Sequence, residues 1–363
     1  MKTEREELHR TRMRRLGSRC LLLTILLLGA RPGEAQNQTP PPDAGGRPES
    51  YAAAEKYYQV SLAIQEKVLG ADHPYVANTL QRLASVYVAH GKYERAEPLY
   101  RRAIEIREKA LGRDHPDVAA SLHSLATLYA TQGNYERAEP LFQRAQAIRE
   151  KVLGPINSDL AATLDSLAAV YQKTGRYGEA EMLFRRSLEI REKILGPEDR
   201  QVAVALTNLA ELYGEKGELT QAAPLYRRAL NILEREVDAT DPELIPSLNN
   251  LAAIYLAQGR FSEAEPLYQR VLAATEKAFG PRHPNFPIAL NNLARLAQTQ
   301  GQNHDAQQYY VRALVAMSNS VDPDYPGFVV ILENYADYLD RLGLTGEAKS
   351  LRVRASSIRS KQP

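Results

Sequence analysis

The sequence predicts an all-α fold, an α-solenoid of antiparallel helix pairs. Three observations carry this expectation. Seven glycines, Gly91, Gly133, Gly175, Gly217, Gly259, Gly301 and Gly343, recur every 42 residues without insertion or deletion. Three more columns keep that period: leucine from Leu80 to Leu332, alanine from Ala84 to Ala336, and alanine from Ala96 to Ala348. Within each period, apolar residues fall at helical spacing twice, once before the glycine and once after it. A period of roughly 20–50 residues marks a stack of identical supersecondary units. Such an array offers a long surface in place of one central pocket, so function is sought on that surface.

The elements follow in chain order. Ala54 and Tyr58 match Ala96 and Tyr100 one period later, so the array over 49–363 opens with a lone second helix, 49–70. Seven repeats follow from residue 71. In the first helix of a repeat, Leu80, Leu83, Ala84 and Tyr87 share one face. In the second, Ala96, Leu99, Tyr100 and Ala103 do the same. An alanine opposite a bulky side chain lets two helix axes approach and interdigitate.

The punctuation agrees with these boundaries. His73-Pro74, His115-Pro116, Asp241-Pro242 and His283-Pro284 put proline at a first helical position, where its missing N–H costs little. The residue before it is the N-cap, and Asn157 and Asp199 take that slot where proline is absent. Gly70, Gly112, Gly154, Gly196 and Gly280 stand where a second helix closes. Pro98, Pro140, Pro224 and Pro266 must lie within about the first turn of the second helix, or they would break it. That places the helix start near Tyr93 or slightly later.

The string Leu80-x-x-Leu83-Ala84-x-x-Tyr87, followed by Ala96-x-x-x-Tyr100, resembles the tetratricopeptide repeat. The unit is longer than the ordinary one. Glu105-Ile106-Arg107-Glu108-Lys109-Ala110-Leu111-Gly112 followed by Asp114-His115-Pro116 looks like the 42-residue version found in kinesin light chains. The same signature decides against HEAT and armadillo repeats, whose periods are similar. The resemblance covers about residues 49–360 and implies a right-handed superhelix with a concave groove. It specifies the fold and not the particular job.

The chain ahead of the array reads as a leader. Residues 20–30 are an apolar run too short to span a bilayer comfortably, preceded by Arg14, Arg15 and Arg19. Gly33-Glu34-Ala35 offers small residues for cleavage, giving a signal peptide over 1–35, with translation proposed to start at Met13. An uncleaved anchor is the alternative, and membrane contact is expected only in that case. Residues 36–48 form a polar linker rich in proline and glycine, expected to be disordered. These features predict export, to a bacterial periplasm or the medium. Cys20 is the only cysteine and lies in the leader, so a cysteine-free mature chain suits an oxidising compartment.

The formal charge is +2, and removing the leader leaves about −2, which gives no electrostatic case for nucleic acid. No phosphate loop, CxxC, HExxH or nucleophile elbow is present, so no catalytic residue, metal site or cofactor is expected. His73, His115 and His283 recur one repeat or more apart and cannot converge on a metal; a capping role fits them better. The Arg-Glu-Lys runs read as solvated helix faces.

One polar column stands out. Asn208, Asn250, Asn292 and Asn334 lie one period apart, each just before the second leucine of its first helix. The resemblance implies that this position faces the groove, where an asparagine contacts the main chain of a bound peptide. A carboxamide carries donor and acceptor, so it can match a peptide bond without reading its side chain. Asn249, Asn291 and Arg295 are neighbouring groove candidates. Two other roles stay open for the column: tying neighbouring first helices together, or merely facing water. In the last repeat Arg352, Arg354, Arg359 and Lys361 make a polar finish that reads as an end cap. The predicted function is a non-enzymatic protein–protein interaction scaffold that holds a peptide or protein segment. The alternative is a membrane-tethered assembly factor or a non-catalytic subunit of an enzyme complex.

Overall fold

The computed structural model describes residues 48–361. The leader, the Met13 start and the linker up to residue 47 lie outside the described residues. Two compact units meet at the Pro155–Ile156 boundary. The first holds α1 (Pro48–Leu69), α2 (Pro74–Ala89), α3 (Tyr93–Leu111), α4 (Pro116–Thr131) and α5 (Tyr135–Leu153). The second holds α6 (Ser158–Lys173), α7 (Tyr177–Leu195), α8 (Arg200–Glu215) and α9 (Leu219–Leu233). A 3-10 turn, Pro242–Leu244, leads into α10 (Ile245–Ala257). Then come α11 (Phe261–Phe279), α12 (Asn285–Thr299), α13 (Asn303–Ser318), α14 (Phe328–Arg341) and α15 (Thr345–Ser360). Among the described residues there is no strand. Each unit is a solenoid segment of helix pairs, and α1 precedes seven such pairs.

Packing explains the repeated alanines. Both alanine columns, Ala84 to Ala336 and Ala96 to Ala348, are wholly buried in every repeat. The leucine column, Leu80 to Leu332, is buried with them. In the first pair, Val76, Ala77 and Leu80 of α2 pack on Ala103 and Ile106 of α3, with Leu99 and Leu62 of α1 at the margin. A larger side chain at an alanine position would have to push two helices apart.

The caps sit where the sequence puts them. His73, His115 and His283 accept, through Nδ1, the backbone N–H two residues on, at 3.2, 3.1 and 3.2 Å. Asn157, Asp199 and Asp241 do the same with a side-chain oxygen at 2.8, 2.7 and 2.8 Å. These bonds satisfy N–H groups that a helix start leaves without partners. Gly112 and Gly196, at φ 92° and 90°, turn the chain out of α3 and α7. Asp238 stands where a cap glycine would fall one period after Gly196. The chain there makes no left-handed turn, and α9 stops at Leu233, four residues short of the corresponding end of α7.

The prolines correct one expectation. Tyr93 opens α3 as anticipated, but Pro98 is its sixth residue, beyond the first turn, and the helix continues to Leu111. Pro140, Pro224 and Pro266 likewise lie inside α5, α9 and α11. Each proline forfeits one bond, to the carbonyl four residues earlier. Those carbonyls belong to Glu94, Glu136, Thr220 and Ser262, all exposed residues. Water can therefore serve the freed carbonyl, which is why the helix survives.

Polar seams join successive pairs. In the first unit the Tyr129 hydroxyl donates to Glu97 Oε1 at 2.7 Å and accepts from Arg101 Nη2 at 2.8 Å. Arg137 closes on the same carboxylate at 2.7 Å and lies 4.0 Å over the Tyr129 ring. In the second unit Tyr213 repeats the arrangement with Glu181 at 2.7 Å, with Arg185, and with Lys216 at 3.0 Å from the carboxylate. A second series of ion pairs links consecutive second helices: Arg102–Glu66, Arg228–Glu192 and Arg270–Glu234, at 2.6, 2.7 and 2.7 Å. Among the described residues no helix is long and apolar enough to cross a membrane.

Candidate functional site

Four positions of each first helix lie off its packed face. In the first repeat they are Asn78, Gln81, Arg82 and Ser85 on α2. The asparagine column is the Arg82 position of later repeats. Asn208 on α8, Asn250 on α10, Asn292 on α12 and Asn334 on α14 are all half-buried. Asn292 Nδ2 donates to Asn249 Oδ1 of the preceding pair at 3.0 Å, and Asn334 Nδ2 donates to Asn291 Oδ1 at 3.1 Å. Asn250 Nδ2 reaches Glu211 Oε1 at 3.5 Å, the outer limit for such a bond. A related tie joins Gln81 Nε2 to Ser124 Oγ at 3.3 Å in the first unit.

Asn292 and Asn334 therefore link neighbouring first helices. The column also keeps hydrogen-bonding capacity. A carboxamide has two N–H donors and an oxygen with two lone pairs, and each tie uses one N–H. The Oδ1 atoms of Asn292 and Asn334 stay open, as does the whole Asn208 carboxamide. Asn291 is different: it is only 3% exposed, and its oxygen is committed to Asn334. Arg295 is exposed on α12, and its guanidinium makes no ion pair.

Sequence reasoning missed a second column. Arg107 and Arg149 belong to the Arg-Glu-Lys runs read as solvated faces, yet each is only 6% exposed. The signal was present in later repeats, where Leu233, Thr275 and Met317 occupy the same position. Met317 and Thr275 are buried, so the column points inward. Arg107 reaches from α3 to Asn78 Oδ1 at 2.6 Å, to Gln81 Oε1, to Ser121 Oγ and to the Asp117 carbonyl at 3.2 Å. Every one of these partners is neutral. Burial pulls the Arg107 pKa below the ordinary arginine value, against a smaller upward pull from Asp117.

Two periods later the same pair of positions holds Asp165 and Arg191. There Arg191 Nη2 meets Asp165 Oδ2 at 2.6 Å, and both side chains are largely buried. Burial raises the Asp165 pKa, while Arg191 and Ser187 oppose that shift. In the last repeat Glu333 and Arg359 take the two positions and pair at 2.6 Å. Around Arg107 the α2 and α3 side chains enclose a cavity of about 470 Å³, lined by Asn78, Gln81, Arg82, Ser85 and Arg107. It contains two guanidinium groups and no carboxylate. Among the described residues no cluster of three or more histidine, cysteine, aspartate or glutamate side chains is placed to hold a metal ion.

A stack of helix pairs with polar columns along its first helices is the architecture of a repeat scaffold. The chain belongs to the tetratricopeptide repeat family, whose model matches residues 49–109, 91–151, 159–235 and 243–317. Repeats of this family mediate protein–protein binding. The 42-residue kinesin-light-chain kind is seen among the structural neighbours. BtubC (BKLC) from P. vanneervenii is 23% identical, with a TM-score of 0.56 over 63% of this chain and 91% of that one. A Podosopora anserina kinesin light chain with nearly identical repeats is 28% identical, with a TM-score of 0.52 over 56% of this chain and 97% of that one. The apo form of RapI shares the fold at 15% identity, with a TM-score of 0.57 over 78% and 98% of the two chains. No curated protein matches the sequence.

Proposed function

We propose that the protein is a non-enzymatic scaffold that holds an extended peptide or protein segment along the groove formed by its first helices. The observation that carries this reading is the asparagine column. Asn208, Asn292 and Asn334 are half-buried, regularly spaced and keep carboxamide atoms that no protein group uses. Such atoms suit the main chain of a bound segment, whose N–H and C=O groups need partners once shielded from water. Asn250 and Arg295 extend the same surface, and Asn249 and Asn291 orient the carboxamides beside them. The segment is expected to meet the protein after export to a periplasm or the medium, directed by residues 1–35.

Site-directed photo-crosslinking tests the surface. A photoreactive residue at Asn208 or Asn334 should capture a partner in the native host, and one at the exposed Glu94 should not. Capture at Glu94 alone would move the binding surface to the second helices and end the groove reading. Fractionation with N-terminal sequencing of the mature protein checks export; an intact leader on a cytosolic chain overturns it.

A further inference from the structure

The first and last helices of the array are finished differently. A terminal helix of a stacked array needs a polar outer face to stay in water. α15 has one: Lys349, Ser350, Arg354 and Ser357 are exposed, and Val353 is the one large apolar side chain exposed on that helix. α1 instead carries Ala53, Tyr57, Val60, Ile64 and Val68 at helical spacing along one side. Tyr57, Val60 and Val68 are 43%, 51% and 40% exposed. Two polar columns have been replaced to make this stripe. The Val60 position is arginine in all seven repeats, from Arg102 to Arg354, and the Ala53 position is otherwise charged or glutamine, as at Arg95, Glu179 and Gln221. Charge has been taken off this side of α1 alone.

In the repeats the same side of a second helix meets a first helix. Val76, Ala77 and Leu80 of α2 pack on Ala103 and Ile106 of α3, beside Leu99. The α1 counterparts of those three are Ser61, Ile64 and Tyr57, and among the described residues no first helix of their own covers them. A cation is left over as well. Lys109 and Lys151 each pair with an aspartate 37 residues earlier, Asp72 and Asp114. Lys67 is their counterpart on α1, and the residue at that distance before it is Ala30. Among the described residues Lys67 makes no ion pair. The processed chain has nothing ahead of α1 to cover the stripe: residues 36–47 hold no leucine, isoleucine, valine, methionine or aromatic residue.

We infer that the exposed side of α1 is a docking site for an amphipathic helix of another protein, which completes the unpaired second helix from outside. The chemistry of that helix follows from the surface it meets. It runs antiparallel to α1, as a first helix does, and lays an apolar stripe over Tyr57, Val60 and Ile64. An acidic residue just ahead of its first turn meets Lys67, as Asp72 meets Lys109. Its C-terminal end lies toward Lys56, an exposed cation suited to the negative end of a helix dipole. The site stands apart from the groove of the first helices and does not depend on it.

The test is fluorescence anisotropy with the full chain and, in parallel, the processed chain that begins at Gln36. The probe is a fluorescein-labelled peptide of residues 71–90. It carries Asp72 and the Val76, Ala77 and Leu80 face of α2, and so presents the chemistry of a first helix. Both chains should bind it, and Leu80→Glu in the peptide should weaken binding at least about tenfold. Tyr57→Glu and Val60→Glu in the protein should each weaken it to a similar degree, and circular dichroism confirms that both surface variants fold. Lys67→Glu should weaken it about threefold at low salt, and Asp72→Lys in the peptide should restore it. No binding of the probe, or binding untouched by Tyr57→Glu and Val60→Glu, overturns the inference. Two other occupants would overturn it too. A dimer of the processed chain in sedimentation, dissolved by Tyr57→Glu, would assign the surface to a second copy. Binding confined to the processed chain would assign it to the leader. None of these results bears on the groove, which the Asn208 and Asn334 crosslinks test separately.

Discussion

The Tyr213 seam and the last helix pair solve the same joining problem differently. At Tyr213 a buried ring brings its hydroxyl to Glu181, and Arg185 and Lys216 neutralise the carboxylate. At the corresponding place in the last pair stands Leu339, buried among Ala336, Tyr335, Tyr338 and Ala348. The position of Arg185 is taken there by Val311. Aromatic stacking replaces the polar clasp: Tyr310 and Tyr335 lie 4.8 Å apart, nearly parallel, and the Tyr338 hydroxyl donates to the Asn303 carbonyl at 2.7 Å. Tyrosine and its cation have been exchanged as a set. One joint depends on charge, and the other depends on shape.

The largest expected effect tests whether the Tyr213 ring or its hydroxyl carries the joint. Tyr213→Ala should destabilise by about 3–5 kcal/mol, since it empties a fully buried aromatic site. Tyr213→Phe keeps the ring and should cost about 1.5–3 kcal/mol, the range for hydrogen bonds to charged groups. Equal losses in thermal denaturation would mean that the ring contributes nothing beyond its hydroxyl. The converse substitution, Leu339→Tyr, should destabilise by about 1–3 kcal/mol, because the new hydroxyl lacks a cation. Adding Val311→Arg should recover part of that loss, and a double-mutant cycle without coupling would break the proposed exchange.

Asn334→Ala removes the polar tie that the last pair keeps and strands the buried Asn291 oxygen. A loss of about 1–2 kcal/mol is expected. Asn208→Ala, which has no protein partner to strand, should leave the thermal midpoint unchanged.

The pH response separates the two joints without mutation of the core. Burial pushes the Glu181 pKa up, but Tyr213, Lys216 and Arg185 together pull it from the ordinary 4.5 to about 2. A depressed carboxylate contributes stability above its unfolded pKa and loses it as the proton binds in the folded state. Stability should therefore fall as pH drops from about 4.5 toward 2, with a shallower fall in Glu181→Gln. The smallest effect is expected from the outer ion pairs. Arg228→Ala should cost about 1 kcal/mol or less and vanish in high salt, since both partners of the Arg228–Glu192 pair are partly exposed.

Most of the fold was legible because its determinants are local and repeated. Leucine and alanine at helical spacing, a cap at His115 or Asp199, and a glycine between helices each act within one pair. The position of Pro98 was misjudged because its tolerance depends on whether Glu94 faces water, a property of the stack. The candidate site was less legible for the same reason. Asn292 could be placed on its column, but whether it meets Asn249, a ligand or both depends on the neighbouring helix. Arg107 looked solvated because its immediate neighbours, Glu105, Glu108 and Lys109, are charged. Only the column, with Leu233 and Met317 in step, shows which way it points.

The coupled exchange at the seams limits how the array can be rebuilt. The constant 42-residue spacing invites excision or duplication of whole modules, as if any pair could follow any other. A chain lacking residues 228–269 would set Ala297 opposite Arg227, in the place of Tyr255, and leave that guanidinium without its hydroxyl partner. Like couplings between railway carriages of different gauge, the joints dictate the order of assembly. A recombined protein would hold together only where both halves of a joint were inherited from the same parent.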